Sequence, residues 1–305
     1  MPLSDESIRL STFEWLSEQV RIHGEVLPRK LLERGFRVDG HTITLVGPQG
    51  IWKPKVLAEI PLTITTVSDG PYDDSFRSDG LLRYKYRGTD PEHPDNVGLR
   101  KALQRRVPLV HFHGIMAGKY LATWPVYIVG DSRNQLAFSV AVDDMAFVRI
   151  RPGEQPTQDP DDDQTINRRA YITTVTRRRL HQQSFREKVL DAYRTQCACC
   201  RLRHGELLDA AHIIPDSDPE GIPSVTNGIS LCKLHHAAFD SFIIGISPDC
   251  VIEVRRDILE EADGPMLLHG LQGMAGKRIV LPRSQKLQPD RGLLDRRFEQ
   301  FRRAI

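Results

Sequence analysis

Two short cysteine–histidine pairs constrain this chain more than anything else in its 305 residues. Cys197 and Cys200 form a C-x-x-C knuckle, and Cys232 and His235 repeat that spacing further along. A knuckle is a tight turn that can aim two thiolates at one ion. Positions i and i+3 share a helix face, so the second pair can close on the first. Together they predict a tetrahedral Cys3His site of the closed, structural kind. Cys199 competes with Cys200, but the two-residue spacing favours Cys200. Four of the five cysteines fall between 197 and 232, the fifth is Cys250, and none precedes Cys197. A disulfide scaffold would spread its cysteines through a small secreted chain, whereas clustering favours a metal.

Hydrophobic residues make up 40% of the chain and charged residues 27%, a balance that fits folded domains and argues against disorder as the main state. The length predicts about two domains. No run approaches the ~18 apolar residues that a membrane helix needs, so no spanning segment is expected. The N-terminal stretch lacks the basic, apolar, small-residue order of a signal peptide, which points to the cytoplasm.

Periodicity divides the chain in two. Residues 5–22 carry Ile8, Phe13, Leu16 and Val20 at near-helical spacing behind Ser4 or Asp5 as a cap, and residues 28–34 predict a second, short helix stopped by Gly35. Strands are predicted over 41–46, 62–67, 81–86, 107–112, 125–129 and 136–142, with a helix over 96–105. Residues 151–167 are rich in proline and acid, as a linker is. Beyond them, helices are predicted over 168–195, near 230–242 and over 288–303, with short strands and loops between.

Charge is segregated although the net value is only +2. Residues 168–203 hold ten basic and two acidic side chains, residues 277–303 nine and three, and residues 151–167 one and five. Two basic blocks in a near-neutral chain suit a polyanionic partner, or else the solvated faces of helices.

Between the ligand pairs run Leu208-Asp-Ala-Ala-His212-Ile-Ile-Pro215 and then Asn227-Gly-Ile-Ser-Leu-Cys232-Lys-Leu-His235-His236-Ala-Ala-Phe-Asp240. From about 185 to 245 this order and spacing resembles the HNH nuclease family in its zinc-stapled form. The resemblance implies that His212 is the general base, that Asn227 braces the loop that aims it, and that His236 ligates a catalytic divalent ion, Mg2+ or Mn2+. It implies Zn2+ for Cys197, Cys200, Cys232 and His235, and 5′-phosphate products. The chemistry agrees: hydrolysis of a phosphodiester needs an activated water, a Lewis acid and a rigid frame, and so small a unit needs a metal to hold it. Many family members carry a His or Asp ligand directly before the base, where this chain has Ala211. Asp240, at i+4 from His236, and Asp209 are the candidates to replace it. Alternation along a strand turns Asp209 away from His212.

In the first half, Tyr72-Asp73-Asp74, a turn, and a strand ending Tyr86-Arg87-Gly88 are similar to the SRA domain, a PUA-like β-barrel that binds DNA carrying 5-methylcytosine. The resemblance implies that Tyr72 and Tyr86 sandwich a flipped base while Asp73 or Asp74 accepts from its exocyclic amine. Stacking offsets part of the unstacking cost, and a carboxylate selects cytosine's donor edge. Ser75 replaces the acid that often ends this turn. His111 and His113 share a strand face, where a phosphate contact competes with a core role.

The expected fold is therefore α+β: an SRA/PUA-like β-barrel with helices over 1–150, an acidic linker over 151–167, and a zinc-stapled ββα-metal (HNH) domain with basic flanking helices over 168–305. The expected activity is that of a modification-dependent, type IV-like restriction endonuclease, which flips a modified cytosine out of double-stranded DNA and cuts nearby. A homodimer would supply two active sites for a double-strand break. The alternatives are an HNH nuclease that reads unmodified or otherwise modified DNA, a non-catalytic zinc-dependent DNA-binding protein, to which Ala211 lends support, and an RNA-binding protein built on the PUA-like barrel.

Overall fold

The computed structural model describes residues 4–67, 81–143, 163–262 and 264–304. The chain forms two compact units, residues 1–183 and 184–305.

The first unit opens with α1 (Asp5–His23), whose first free N–H groups are capped by Ser4 through Ser7 N at 3.0 Å. Next come β1 (Val26–Pro28), α2 (Arg29–Arg34), the β2 (Phe36–Val38) and β3 (His41–Ile43) hairpin, β4 (Ile51–Trp52), β5 (Thr63–Val67) and β6 (Leu82–Lys85). Helix α3 (Pro94–Arg105) precedes the long strands β7 (Leu109–Met116) and β8 (Lys119–Ser132), and β9 (Ala137–Val142) closes the series. Seven strands form one sheet in the order β4-β5-β7-β8-β9-β6, with β1 paired to β8 and only β5–β7 parallel. Alternation along β7 feeds two cores. Leu109 and Ile115 pack with Leu99 and Ala102 of α3, while Val110 and Phe112 pack with Ile8, Phe13 and Leu16 of α1. Apolar burial on both faces, at roughly 25 cal/mol per Å2, makes this sheet the centre of the unit.

The sheet is curled. The hydroxyl of Tyr84, in the edge strand β6, donates to the carbonyl of Thr65 in β5 at 3.4 Å, but among the described residues no ladder joins β6 to β4. The barrel expected from the sequence is thus an open half-barrel over these residues. The strand expected at 125–129 is the middle of the 14-residue β8, because pairing to β1, β7 and β9 satisfies its backbone along its length.

Helix α4 (Asp163–Ala192) begins inside the stretch read as an acidic linker, whose residues 151–162 lie outside the described ones. The boundary between the units falls within this helix, after Gln183 rather than near residue 150.

In the second unit, β10 (Leu208–His212) pairs antiparallel with β11 (Gly228–Cys232), and α5 (Lys233–Asp240) follows without a break. Then come the β12 (Ile244–Ile246) and β13 (Ile252–Val254) hairpin, α6 (Arg256–Glu260), α7 (Pro265–Gly270) and α8 (Arg291–Arg303), which is capped by Asp290 through Gly292 N and Leu293 N. One apolar cluster holds it together, with Phe185 and Val189 of α4 and Tyr193 just after it against Ala211, Ile229, Leu231 and Phe239. No helix of the described residues is long and apolar enough to cross a membrane.

Candidate metal centre and nuclease cleft

The ligand atoms of Cys197, Cys200, Cys232 and His235 all lie within 4.8 Å of one another. His235 Nδ1 is 3.0 Å from Cys232 Sγ and 3.5 Å from Cys197 Sγ, and the sulfurs of Cys200 and Cys232 are 3.9 Å apart. A tetrahedral ion with Zn–S of about 2.3 Å and Zn–N of about 2.0 Å needs edges of about 3.5–3.8 Å, so the donor set fits one. The knuckle closes through Arg201 N to Cys197 O at 2.9 Å, with Arg201 itself left-handed at φ 63°. On its far side His235 Nε2 donates to the carbonyl of Gly270 at 2.8 Å. A carbonyl can only accept, so the proton belongs on Nε2 and the lone pair of Nδ1 faces the sulfurs. Burial opposes protonation of His235, but the sulfurs of Cys197 and Cys232 outweigh it and raise its pKa to about 10, so a cation must displace a proton from Nδ1 to gain that lone pair. Donation from Cys199, Cys200 and Cys232 holds the Cys197 thiol below the ordinary range, which makes the pocket attractive to a cation. Cys199 is buried beside Cys197 and is not one of the four.

One residue along α5 the character changes. His236 points to the other side of the helix, where its Nδ1 lies 3.6 Å from Asp209 Oδ2 and its Nε2 lies 3.3 Å from Asp240 Oδ2. The imidazole thus sits between two carboxylates, one from β10 and one from its own helix. Asp209 chiefly raises the His236 pKa, against burial and with help from Asp240. Burial would raise the Asp209 carboxyl, but His236, the Ala210 N–H and Arg186 together hold it below the usual range. Ala211 is fully buried in the apolar core, so the position that often carries a ligand in this motif faces away from the cleft.

His212 ends β10 opposite Gly228. Its ring lies against that of Phe185, with centroids 3.9 Å apart and planes 14° from parallel. Nε2 is buried and has no hydrogen-bond partner among the described residues. Burial leads the causes that hold the His212 pKa below its ordinary 6.5. The charges of Asp216, Asp240 and Asp209 act in the opposite direction, and His236 acts with burial. A neutral imidazole with an uncommitted ring nitrogen is competent to accept a proton.

The segment that follows His212 is fixed by Asn227. This side chain, 1% exposed, accepts from Ile214 N at 2.9 Å and donates to Ile214 O at 2.9 Å and Ile222 O at 3.1 Å. The α5 end of the cleft is fixed by Arg297, whose guanidinium lies over the rings of Phe239 and Phe242 at 4.8 and 4.2 Å and donates to Phe239 O at 3.0 Å. Its Nη2 lies 3.9 Å from Asp240 Oδ1. Sequence reasoning missed Phe185, Arg186, Asp216 and Arg297. Phe185 is one of several apolar residues of its helix, and nothing in the sequence links it to His212.

In the first unit, Tyr72, Asp73 and Asp74 lie outside the described residues. Tyr86 is 6% exposed, with its ring 4.6 Å from that of Phe138 and its hydroxyl donating to Asp131. His111 and His113 are buried, with rings 3.8 Å apart and both within hydrogen-bond distance of Thr66 Oγ1, at 3.1 and 3.3 Å. They form part of the interior rather than a phosphate-binding rim.

Residues 197–247 match the family model described as HNH endonuclease. No curated protein matches the chain. Two restriction endonucleases are among the similar solved structures. A modification dependent TagI restriction endonuclease shares 14% identity over 79% of this chain and 82% of that one, with a TM-score of 0.30. The Type IV phosphorothioation-dependent restriction endonuclease ScoMcrA shares 16% identity over 60% of this chain and 55% of that one, with a TM-score of 0.20. At those scores the two likenesses do not define a shared arrangement, and the family match over the Cys/His centre and the cleft identifies the chemistry. The second unit carries an HNH endonuclease domain, and the chain is a DNA-cleaving hydrolase.

Proposed function

We propose that this protein is a modification-dependent DNA endonuclease in which His212 is the general base, His236 with Asp209 or Asp240 holds a divalent ion, and the first unit reads a modified cytosine. The observation that carries the catalytic part is the imidazole of His212, stacked on Phe185 and held neutral by burial, beside a histidine held between two carboxylates.

The roles follow from the donor chemistry. The His212 imidazole takes the proton of the attacking water. His236 offers one ring nitrogen to an ion, with Asp209 Oδ2 on its Nδ1 edge or Asp240 Oδ2 on its Nε2 edge, a mixed nitrogen and oxygen set of the kind that suits Mg2+ or Mn2+. When bound, such an ion neutralises charge on the scissile phosphate and the departing 3′ oxygen. Asn227 keeps the His212 loop in place, so the ring need not be ordered during the reaction. Cys197, Cys200, Cys232 and His235 would hold Zn2+, which would serve as a structural element of the second unit.

The substrate assignment rests on the Tyr72–Gly88 segment and its similarity to SRA domains. Tyr72 stacks on the extruded base, Asp73 or Asp74 accepts from the cytosine amine, and Tyr86, anchored by Phe138 and Asp131, forms the fixed wall. Two copies acting together give a double-strand break. The test is incubation of methylated and unmodified supercoiled plasmid with wild-type protein and with His212→Ala, in Mg2+ or Mn2+. Cutting of the methylated plasmid alone, lost in His212→Ala, is expected. Equal cutting of both plasmids removes the modified-base reading, and full activity of His212→Ala removes the base assignment.

A further inference from the structure

The family match begins at Cys197, yet the ring that covers His212 comes from outside it. Phe185 and Arg186 are consecutive residues of α4 that hold opposite ends of β10. Arg186 Nη2 donates to Leu208 O at 2.8 Å and Gly205 O at 3.1 Å, and its Nε lies 3.5 Å from Asp209 Oδ1. Phe185, 4% exposed, lies flat on His212 at the other end. The space for it is left by Gly228, across the ladder from His212. A Cβ on Gly228 would stand 2.9 Å from Phe185 Cζ and 2.4 Å from Val189 Cγ2.

An imidazole at a strand end turns about its terminal torsion in a broad well, so its backbone alone does not aim a ring nitrogen. A flat apolar ring stacked on one face removes that freedom and leaves only the edges for water. We infer that Phe185 is a positioning residue for the nuclease reaction, clamping the imidazole of His212 face to face so that one edge of the ring stays turned toward the attacking water. This rests on His212 being the base. The same ring contributes to the burial that keeps His212 neutral, against the charges of Asp216, Asp240 and Asp209.

The clamp is tested in the full chain with Phe185→Leu, which keeps apolar bulk without a flat face, and with Phe185→Met as a second, more flexible filling. Cleavage of methylated and unmethylated supercoiled plasmid is measured with Mn2+, alongside zinc content, melting temperature and the His212 ring-proton NMR resonances. In the wild-type protein those resonances are expected upfield of ordinary histidine values, because a stacked ring shields them. In the variants they move downfield, kcat falls by about tenfold to a hundredfold while KM stays within about twofold, and zinc and melting are retained. Unshifted wild-type resonances overturn the clamp without any variant. Wild-type kcat in a folded variant overturns it, and so does a loss of kcat in both variants that tracks lost zinc or lowered melting. His212→Ala separates this inference from its premise: if that variant is inactive while Phe185→Leu is fully active, only the clamp fails.

Discussion

Asp209 and His236 meet at 3.6 Å across the junction of β10 and α5, so the strand and the helix contribute one carboxylate and one imidazole to the same side of the cleft. Asp209→Asn removes the charge that faces His236 Nδ1 and leaves the fold intact. The divalent ion concentration needed for half-maximal cleavage is expected to rise by about tenfold to a hundredfold, the scale on which ligand partners act. Asp240→Asn, at a side chain 58% exposed, is expected to shift it less. A titration of cleavage rate against Mn2+ checks both.

The Cys/His centre predicts a second, independent dependence on metal. Elemental analysis of the pure protein is expected to find about one zinc per chain, falling to near zero in Cys200→Ser, since three ligands do not close a structural site. Removal by a strong chelator is expected to unfold the second unit, because its small strand pair depends on that ion, while the seven-stranded sheet retains its circular dichroism signal.

Asn227→Ala strips the partners from Ile214 N, Ile214 O and Ile222 O at a side chain 1% exposed. Leaving such groups unpaired costs about 1–3 kcal/mol each before relaxation, so a net loss of about 2–4 kcal/mol in urea unfolding of the second unit is expected. Cleavage is expected to fall more than stability alone predicts at temperatures where the variant remains folded. Equal activity of folded Asn227→Ala and wild type would show that the loop does not aim the base.

For the reaction itself, burial lowers the His212 pKa from 6.5. The base works as the neutral ring, so cleavage rises with pH through that lowered value and is level by pH 7. The acid limb of kcat at saturating metal is expected below pH 6.5. A limb above it would assign the proton transfer to another group.

The first unit has its own titration. His111 and His113 are held neutral by burial, His113 to about 3, with the neighbouring histidines adding to the effect. The unfolded chain binds protons at both positions below about 6.5 and the folded chain does not, so the unfolded state carries more protons and stability falls as pH drops from 6.5 toward 3. The slope is about 1.4 kcal/mol per pH unit for each ring. Thermal unfolding of the first unit between pH 7 and 5 measures it, and His113→Gln is expected to flatten it.

The Cys/His centre and the β10-β11-α5 order were legible because both depend on spacings of a few residues. The strand that ends at His212 and the helix that begins after Cys232 stand where the motif put them, and Asn227 bonds to the backbone of Ile214 and Ile222. What was not legible depends on distance along the chain. Phe185 is one apolar residue among several on its stripe, and only folding puts it on His212. Arg297 read as part of a basic, solvated helix, yet two phenylalanine rings bury it. Alternation compared Asp209 with His212 alone, whereas the helix brought His236 to Asp209 from a different element. The acidic stretch read as a linker hid the start of α4, because its charge and proline content masked a helix that becomes apolar only later.

Gly228 has an ordinary extended backbone, with φ −130°, so the residue is there for its missing atoms and not for its torsions. Those absent atoms form the trough that Phe185 and Val189 fill. An excised nuclease fragment starting at Cys197 would therefore expose a greasy furrow directly beside its catalytic strand and clump in solution. The smallest self-sufficient piece should start at or before Ser184, upstream of where the recognisable motif begins.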